Sequence, residues 1–154
     1  MYLLDTNHCS RIIDGDQNVI KAISDLGATI IATCAIVRGE LIYMAHKSER
    51  HADNLRLVED FLKDIDVYSI DENTATIYGE LKIAVINHFG PHEKAKRRKI
   101  EIDKLGFKEN DLWIAAVAKQ YEFVIVSADS DFQRMKEAYD LEVTTWYQNI
   151  FDEK

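Results

Sequence analysis

Phe123-Val124-Ile125-Val126-Ser127-Ala128-Asp129-Ser130-Asp131 is the stretch on which the fold turns. Four apolar residues run without alternation, three of them β-branched, and then give way to serine and acids. A run that does not alternate belongs to a strand covered on both faces, as in a parallel sheet flanked by helices. Tyr2-Leu3-Leu4 repeats the pattern and meets Asp5. Thr29-Ile30-Ile31-Ala32-Thr33, Val67-Tyr68-Ser69-Ile70 and Glu142-Val143-Thr144-Thr145-Trp146 supply three further strands.

Helical spacing fills the gaps. Val19, Ile20, Ile23 and Leu26 form one stripe, and Ile36, Leu41, Met44 and Ala45 a second. Leu55, Val58, Phe61, Leu62 and Ile65 follow, with charges on the other faces. Asp71 or Asn73 caps a helix through Ala75, Ile77, Tyr78, Leu81 and Val85, which Gly90-Pro91 ends. Leu112, Ile114, Ala115, Ala116 and Ala118 belong to a buried helix rich in small residues. Strands alternating with helices, with no internal repeat or linker, predict an α/β chain with a mostly parallel sheet and a single domain over residues 1–154.

Composition agrees with a globular chain. Of 154 residues, 47% are hydrophobic and 30% charged, with six glycines and one proline, which excludes disordered and low-complexity classes. No apolar run approaches the roughly 20 residues that span a bilayer, and the N-terminus lacks a basic leader, so a cytoplasmic protein is expected. Cys9 and Cys34 fit no zinc or redox spacing and read as reduced packing thiols. Nineteen Lys and Arg against 27 Asp and Glu leave a net charge of −8, which disfavours indiscriminate nucleic-acid coating. One segment reverses this: residues 94–99 (KAKRRK) carry five cations in six positions. Such a run is either a solvated helix face or a phosphate-facing arm.

In open α/β sheets, ligands bind beyond the carboxyl ends of the strands. Asp5 ends the first predicted strand, and Asp129 and Asp131 follow the fourth. Glu40 lies about two helical turns past the second strand, and Asp111 opens the helix leading into the fourth. Each acid alone is an ordinary helix cap, surface group or dipole partner. Gathered at one edge they repel unless a divalent cation neutralises them. Oxygen-only donors favour Mg²⁺ or Mn²⁺ over zinc, and such a site activates water against phosphorus.

Leu4-Asp5-Thr6-Asn7, then Glu40-Leu41, then Asn110-Asp111-Leu112-Trp113-Ile114-Ala115-Ala116, then Val126-Ser127-Ala128-Asp129-Ser130-Asp131-Phe132 occur in that order. In these motifs the chain resembles PIN-domain ribonucleases and, among them, the VapC-type toxins of toxin–antitoxin modules. The resemblance implies a three-layer α/β/α sandwich and a metal-dependent endoribonuclease. Asp5, Glu40, Asp111 and Asp129 match the family's acids, with Asp131 beside them. Asp5, Asp111 and Asp129 are expected to hold one or two Mg²⁺ or Mn²⁺ ions, and Glu40 to add a ligand or orient the attacking water. Thr6 and Asn7 are expected to orient Asp5 and the phosphate, and Ser127 to fill the family's Ser/Thr position before the fourth acid. The implied partners are an RNA substrate (transfer, ribosomal or messenger), a small antitoxin reaching toward the acids, and a second copy in a homodimer.

Two features depart from the family pattern. Cys34 and Val37 stand where Ser or Thr is usual, leaving Thr33 as a substitute cap ahead of Glu40. Residues 92–104 form a longer, more basic helical insertion. Ile42, Tyr43, Leu57 and Phe61 are candidates for an apolar docking groove or for core. A haloacid-dehalogenase-like phosphatase needs an acid where Asn7 stands. Nucleotide-binding readings fail for want of a glycine-rich loop. His88 and His92 have metal spacing, but Gly90 and Pro91 break the helix between them. A non-catalytic binding module sits poorly with four intact acids.

Overall fold

Leu3, Leu4, Ile125 and Val126 are all fully buried, and the strands that hold them lie side by side. The computed structural model describes residues 1–147, so residues 148–154 of the predicted domain lie outside the described region. Strand β1 (Tyr2–Leu4) pairs in parallel with β4 (Val124–Val126), Tyr2 opposite Val124 and Leu4 opposite Val126. With β2 (Ile31–Cys34), β3 (Asp66–Tyr68) and β5 (Val143–Thr144) they form one sheet in the order β3-β2-β1-β4-β5. All four pairings are parallel. The order reverses between β1 and β4, and that is the switch point where a crevice opens in such sheets.

Parallel neighbours require crossover connections, and the helices supply them. They are α1 (Thr6–Ile13), α2 (Gln17–Leu26), α3 (Ala35–Lys47), α4 (His51–Asp64), α5 (Glu72–Phe89), α6 (Lys94–Arg97), α7 (Glu109–Gln120) and α8 (Ser130–Ala138). Crossovers of one hand send the helices before β3 to one face and those after it to the other. The packing follows this rule: α1 meets α2, α3 and α4, while α5, α7 and α8 pack together. The expected three-layer sandwich results. The two layers meet where α3 touches α7, at the carboxyl edge of the sheet.

Local chemistry explains the boundaries. Asp71 caps α5 by accepting from the Asn73 and Thr74 amides at 2.9 and 3.0 Å, and Thr74 returns a bond to complete the box. Ala115, Ala116 and Ala118 are buried, so α7 seats closely in its layer. The predicted second strand begins two residues late, because the Thr29 hydroxyl bonds the Leu26 carbonyl at the end of α2 and Ile30 is exposed. The last strand shrinks to two residues at the sheet edge, where the Thr145 hydroxyl turns the chain by bonding the Tyr147 carbonyl. The basic stretch is not one helix: α6 makes a single turn, and residues Ile102–Leu105 form a 3-10 turn that ends on Gly106 at φ 82°, a conformation glycine adopts without strain.

Ile125→Ala empties space between the layers and is expected to cost about 2–5 kcal/mol. Leu57→Ala, at a side chain 52% exposed, is expected to cost less than about 1 kcal/mol. Urea denaturation of the two variants checks this, and equal losses would contradict the placement of the core.

Candidate active site

Asp5, Asp111 and Asp129 each sit at the start of a helix, and the three helices converge at the switch point. Asp5 is the N-cap of α1, Asp129 the N-cap of α8, and Asp111 lies in the first turn of α7. The partial positive charge of a helix N-terminus favours an acid there, so each placement is locally stable. With Thr6, Asn7, Glu40, Tyr43, Met44, Lys108, Ile114 and Phe132 they line a cleft of about 230 Å³.

Asp5 is held from three directions. One carboxylate oxygen accepts from the His8 amide at 2.8 Å and faces His8 Nδ1 at 2.9 Å. Its other oxygen accepts from the Ser127 hydroxyl. The same Ser127 oxygen accepts from the Asp129 amide at 3.0 Å, which links the ends of β1 and β4. His8 is fully buried, and its Nε2 accepts from the Trp146 amide at 3.3 Å, so Nδ1 carries the hydrogen that points at Asp5. His8 was absent from the sequence-derived site. Its only signal was its place three residues after a capping acid.

Glu40 is half-buried and is fixed by two long-range donors. The Thr6 hydroxyl donates to one oxygen, and the Asn110 amide donates to the other at 2.8 Å. Thr6 therefore serves Glu40, while Ser127 and His8 orient Asp5. Asn7 is exposed on the cleft wall. Thr33 does not cap α3; its hydroxyl donates to the Leu4 carbonyl at 3.0 Å, and Cys34 holds the cap position without a side-chain bond. Burial pushes the Cys9 and Cys34 thiols up, consistent with inert packing thiols.

Asp111, Asp129 and Asp131 each offer an oxygen within 4.8 Å of the others, the spacing of a cation site. Asp131 also accepts from Arg134 at 3.1 Å, and Lys108 Nζ stands 3.9 Å from Asp129. Asp111 Oδ2 is buried with no hydrogen-bond partner among the described residues. Burial first, and then the Asp129 charge, push the Asp111 carboxyl up to about 7; Lys108 opposes the shift, and Glu40 and Asp131 add to it. A buried, unpaired oxygen among acids fits a hard divalent cation, whose charge would replace the missing donor.

The sequence model of the PIN domain matches residues 2–138. The chain belongs to the PIN domain family. It is 28% identical over 135 residues to Ribonuclease VapC2 of Haemophilus influenzae, a match covering 87% of this chain and 91% of that protein. Over 81 residues it is 31% identical to the tRNA(fMet)-specific endonuclease VapC of Shigella flexneri, covering 53% and 61% of the two. Its fold is similar to a chain of the crystal structure of VapBC2 from Rickettsia felis bound to a promoter DNA fragment. That match has TM-score 0.74 and 24% identity, and covers 95% of this chain and 98% of the other. In this PIN domain the four acids expected from the motifs all line one cleft.

The raised Asp111 has a measurable consequence. Without metal, the folded chain keeps a proton that the unfolded chain releases near its ordinary value of 3.8. This contribution to stability is complete below that value, falls as pH rises to about 7, and is flat above. Asp111→Asn is expected to remove the decline, so in EDTA above neutral pH the variant melts higher than the parent. Mn²⁺ is expected to raise the melting temperature of the parent and not of the variant, and to do so less below pH 7, where the ion must displace the proton. Identical pH profiles of parent and variant would contradict the assignment.

Proposed function

We propose that the chain is a divalent-cation-dependent endoribonuclease, the toxin of a toxin–antitoxin pair. The observation that carries this reading is the unpartnered Asp111 oxygen, buried among acids from separate segments at the switch point of a PIN domain. The names of the relatives support it, since they are called ribonucleases. Asp111, Asp129 and Asp131 would hold the ion, one Asp131 oxygen also accepting from Arg134, and Asp5 borders them in the same cleft. A bound Mg²⁺ or Mn²⁺ would supply positive charge to the phosphodiester and activate water for attack on phosphorus.

The protein's own groups do the positioning. Ser127 and His8 fix Asp5, so its carboxylate does not rotate away when substrate enters. Thr6 and Asn110 hold Glu40 with both oxygens at the cleft, where it accepts a hydrogen bond from the attacking water and aligns it. Asn7 and Lys108 stand on the cleft wall, where an amide and an ammonium contact phosphate oxygens. Substrate therefore enters as a single strand or an exposed loop laid across a narrow, acid-floored cleft.

An antitoxin segment has a place to lie. A groove of about 250 Å³ between α1, α3 and α4 has an apolar floor of Ile13, Leu41, Met44, Ala45, Leu57 and Val58 and a polar edge of Ser10, Asp14, Ser48 and Asn54. Met44 also lines the active cleft, so a helix laid in the groove reaches the acids. Tyr43, Met44 and Leu57 are exposed, whereas Ile42 and Phe61 are partly buried against the core.

Purified chain is expected to cut members of a panel of folded transfer and ribosomal RNAs at discrete positions in Mg²⁺ or Mn²⁺ and not in EDTA. Asp5→Asn is expected to stay folded and lose at least about a hundredfold in kcat/KM. Cutting in EDTA, or full activity of Asp5→Asn, would contradict the mechanism.

A further inference from the structure

Residues 92–108 concentrate positive charge on an acidic protein. Seven cations (Lys94, Lys96, Arg97, Arg98, Lys99, Lys104 and Lys108) face three acids there, while the rest of the chain carries 12 cations and 24 acids. The cations are not equivalent. Arg97 is half-buried and structural: its guanidinium donates to the Pro91 and His92 carbonyls, both at 3.1 Å, and its stem packs over Gly90. Lys96 pairs with Glu93 at 2.9 Å, and Lys104 lies 3.7 Å from Asp103. Lys94, Arg98 and Lys99 are exposed and make no ion pair among the described residues. Among the described residues nothing pairs with those three charges.

The segment is fastened to the active site. Arg134, which pairs with Asp131, also donates to the Leu105 carbonyl at 2.9 Å and stacks 4.1 Å from the Phe107 ring. Phe107 meets Phe89 at the end of α5, so both roots of the segment are pinned beside α8. Directly after Phe107 comes Lys108, on the cleft wall. The cations thus lead from an outer surface to the reacting edge, on a scaffold that does not need them.

We propose that this segment docks the phosphate backbone of a folded RNA outside the cleavage cleft, with Lys94, Arg98 and Lys99 as the phosphate contacts. The inference rests on the ribonuclease reading and adds to it a second point of substrate contact. A folded RNA is favoured over a protein partner because the unpaired, solvated cations on the single turn of α6 and the two residues after it offer no apolar surface to bury, and polyphosphate needs none. It also accounts for a negative protein engaging a polyanion: the long-range repulsion is offset locally, where the substrate must lie.

The test uses the full chain in EDTA, so that binding is read apart from cleavage. Fluorescence anisotropy would follow bulk transfer RNA and a duplex DNA of similar charge across a salt series. The triple variant Lys94→Ala/Arg98→Ala/Lys99→Ala is compared with Lys21→Ala/Arg56→Ala/Lys63→Ala, which removes the same charge from α2 and α4. The first triple is expected to weaken transfer-RNA binding at least tenfold and to flatten the slope of log Kd against log salt by about 2–3, as loss of three phosphate contacts requires. The second is expected to leave the slope unchanged. Equal effects of the two triples, an unchanged slope in the first, tighter binding of the DNA, or no RNA binding by the parent would each overturn the surface. Discrete cuts in Mn²⁺ alongside an unchanged slope would retire the surface and leave the nuclease standing.

Discussion

The Asp111 carboxylate is buried in the first turn of α7, one of its oxygens has no protein donor, and the acids around it share its charge. Water would solvate an exposed acid, but Asp111 is only 8% exposed and its Oδ2 is buried. The arrangement is stable because each acid is tied to something local. Asp5 and Asp129 cap α1 and α8, and the three helix N-termini aim their positive ends at one place. The fold thus assembles a region of negative charge from placements that are each favourable alone. Burial and the residual repulsion fall together on Asp111.

The same constraint organises the cleft's surroundings. Ser127 joins the ends of β1 and β4 through Asp5 and the Asp129 backbone, so the geometry of the switch point and the orientation of the acids are one bond network. Glu40 is pinned by Thr6 of its own helical layer and by Asn110 of the other, and the second bond ties the two layers together across the opening. Cations border the acids without neutralising them. Arg134 donates to one Asp131 oxygen and anchors the basic segment, and Lys108 stays 3.9 Å from Asp129 on an exposed side chain. A site built this way concentrates negative charge at its floor and positive charge at its rim.

Much of this was legible in the sequence because its signals are local. Uninterrupted apolar runs at Tyr2-Leu3-Leu4 and Phe123-Val124-Ile125-Val126 identify central parallel strands, and an acid after each follows from where such strands end. The family motifs then supplied the order of the four acids. The illegible parts depend on partners distant in the chain. His8 acquires meaning only when the Trp146 amide meets its far nitrogen, 138 residues away. Thr6 reads as a companion of its neighbour Asp5 but bonds Glu40, 34 residues on. Thr33 looks like a cap for the following helix, yet its hydroxyl bonds across the sheet to the Leu4 carbonyl. Strand limits failed at β2, where the Thr29 hydroxyl bonds the Leu26 carbonyl, at β3, which spans Asp66–Tyr68 rather than 67–70, and at β5, where the Thr145 hydroxyl bonds the Tyr147 carbonyl.

The most direct measurement is a carbon-13 NMR titration of the aspartate side-chain carboxyls in metal-free and Mg²⁺-loaded protein, with Asp111 assigned from Asp111→Asn. The account predicts that without metal the Asp111 carboxyl titrates near neutral pH, as burial among acids requires, and that Mg²⁺ keeps it ionised well below that range. An Asp111 signal that titrates as an ordinary exposed carboxyl and does not respond to Mg²⁺ would contradict the cation site on which the proposed chemistry depends.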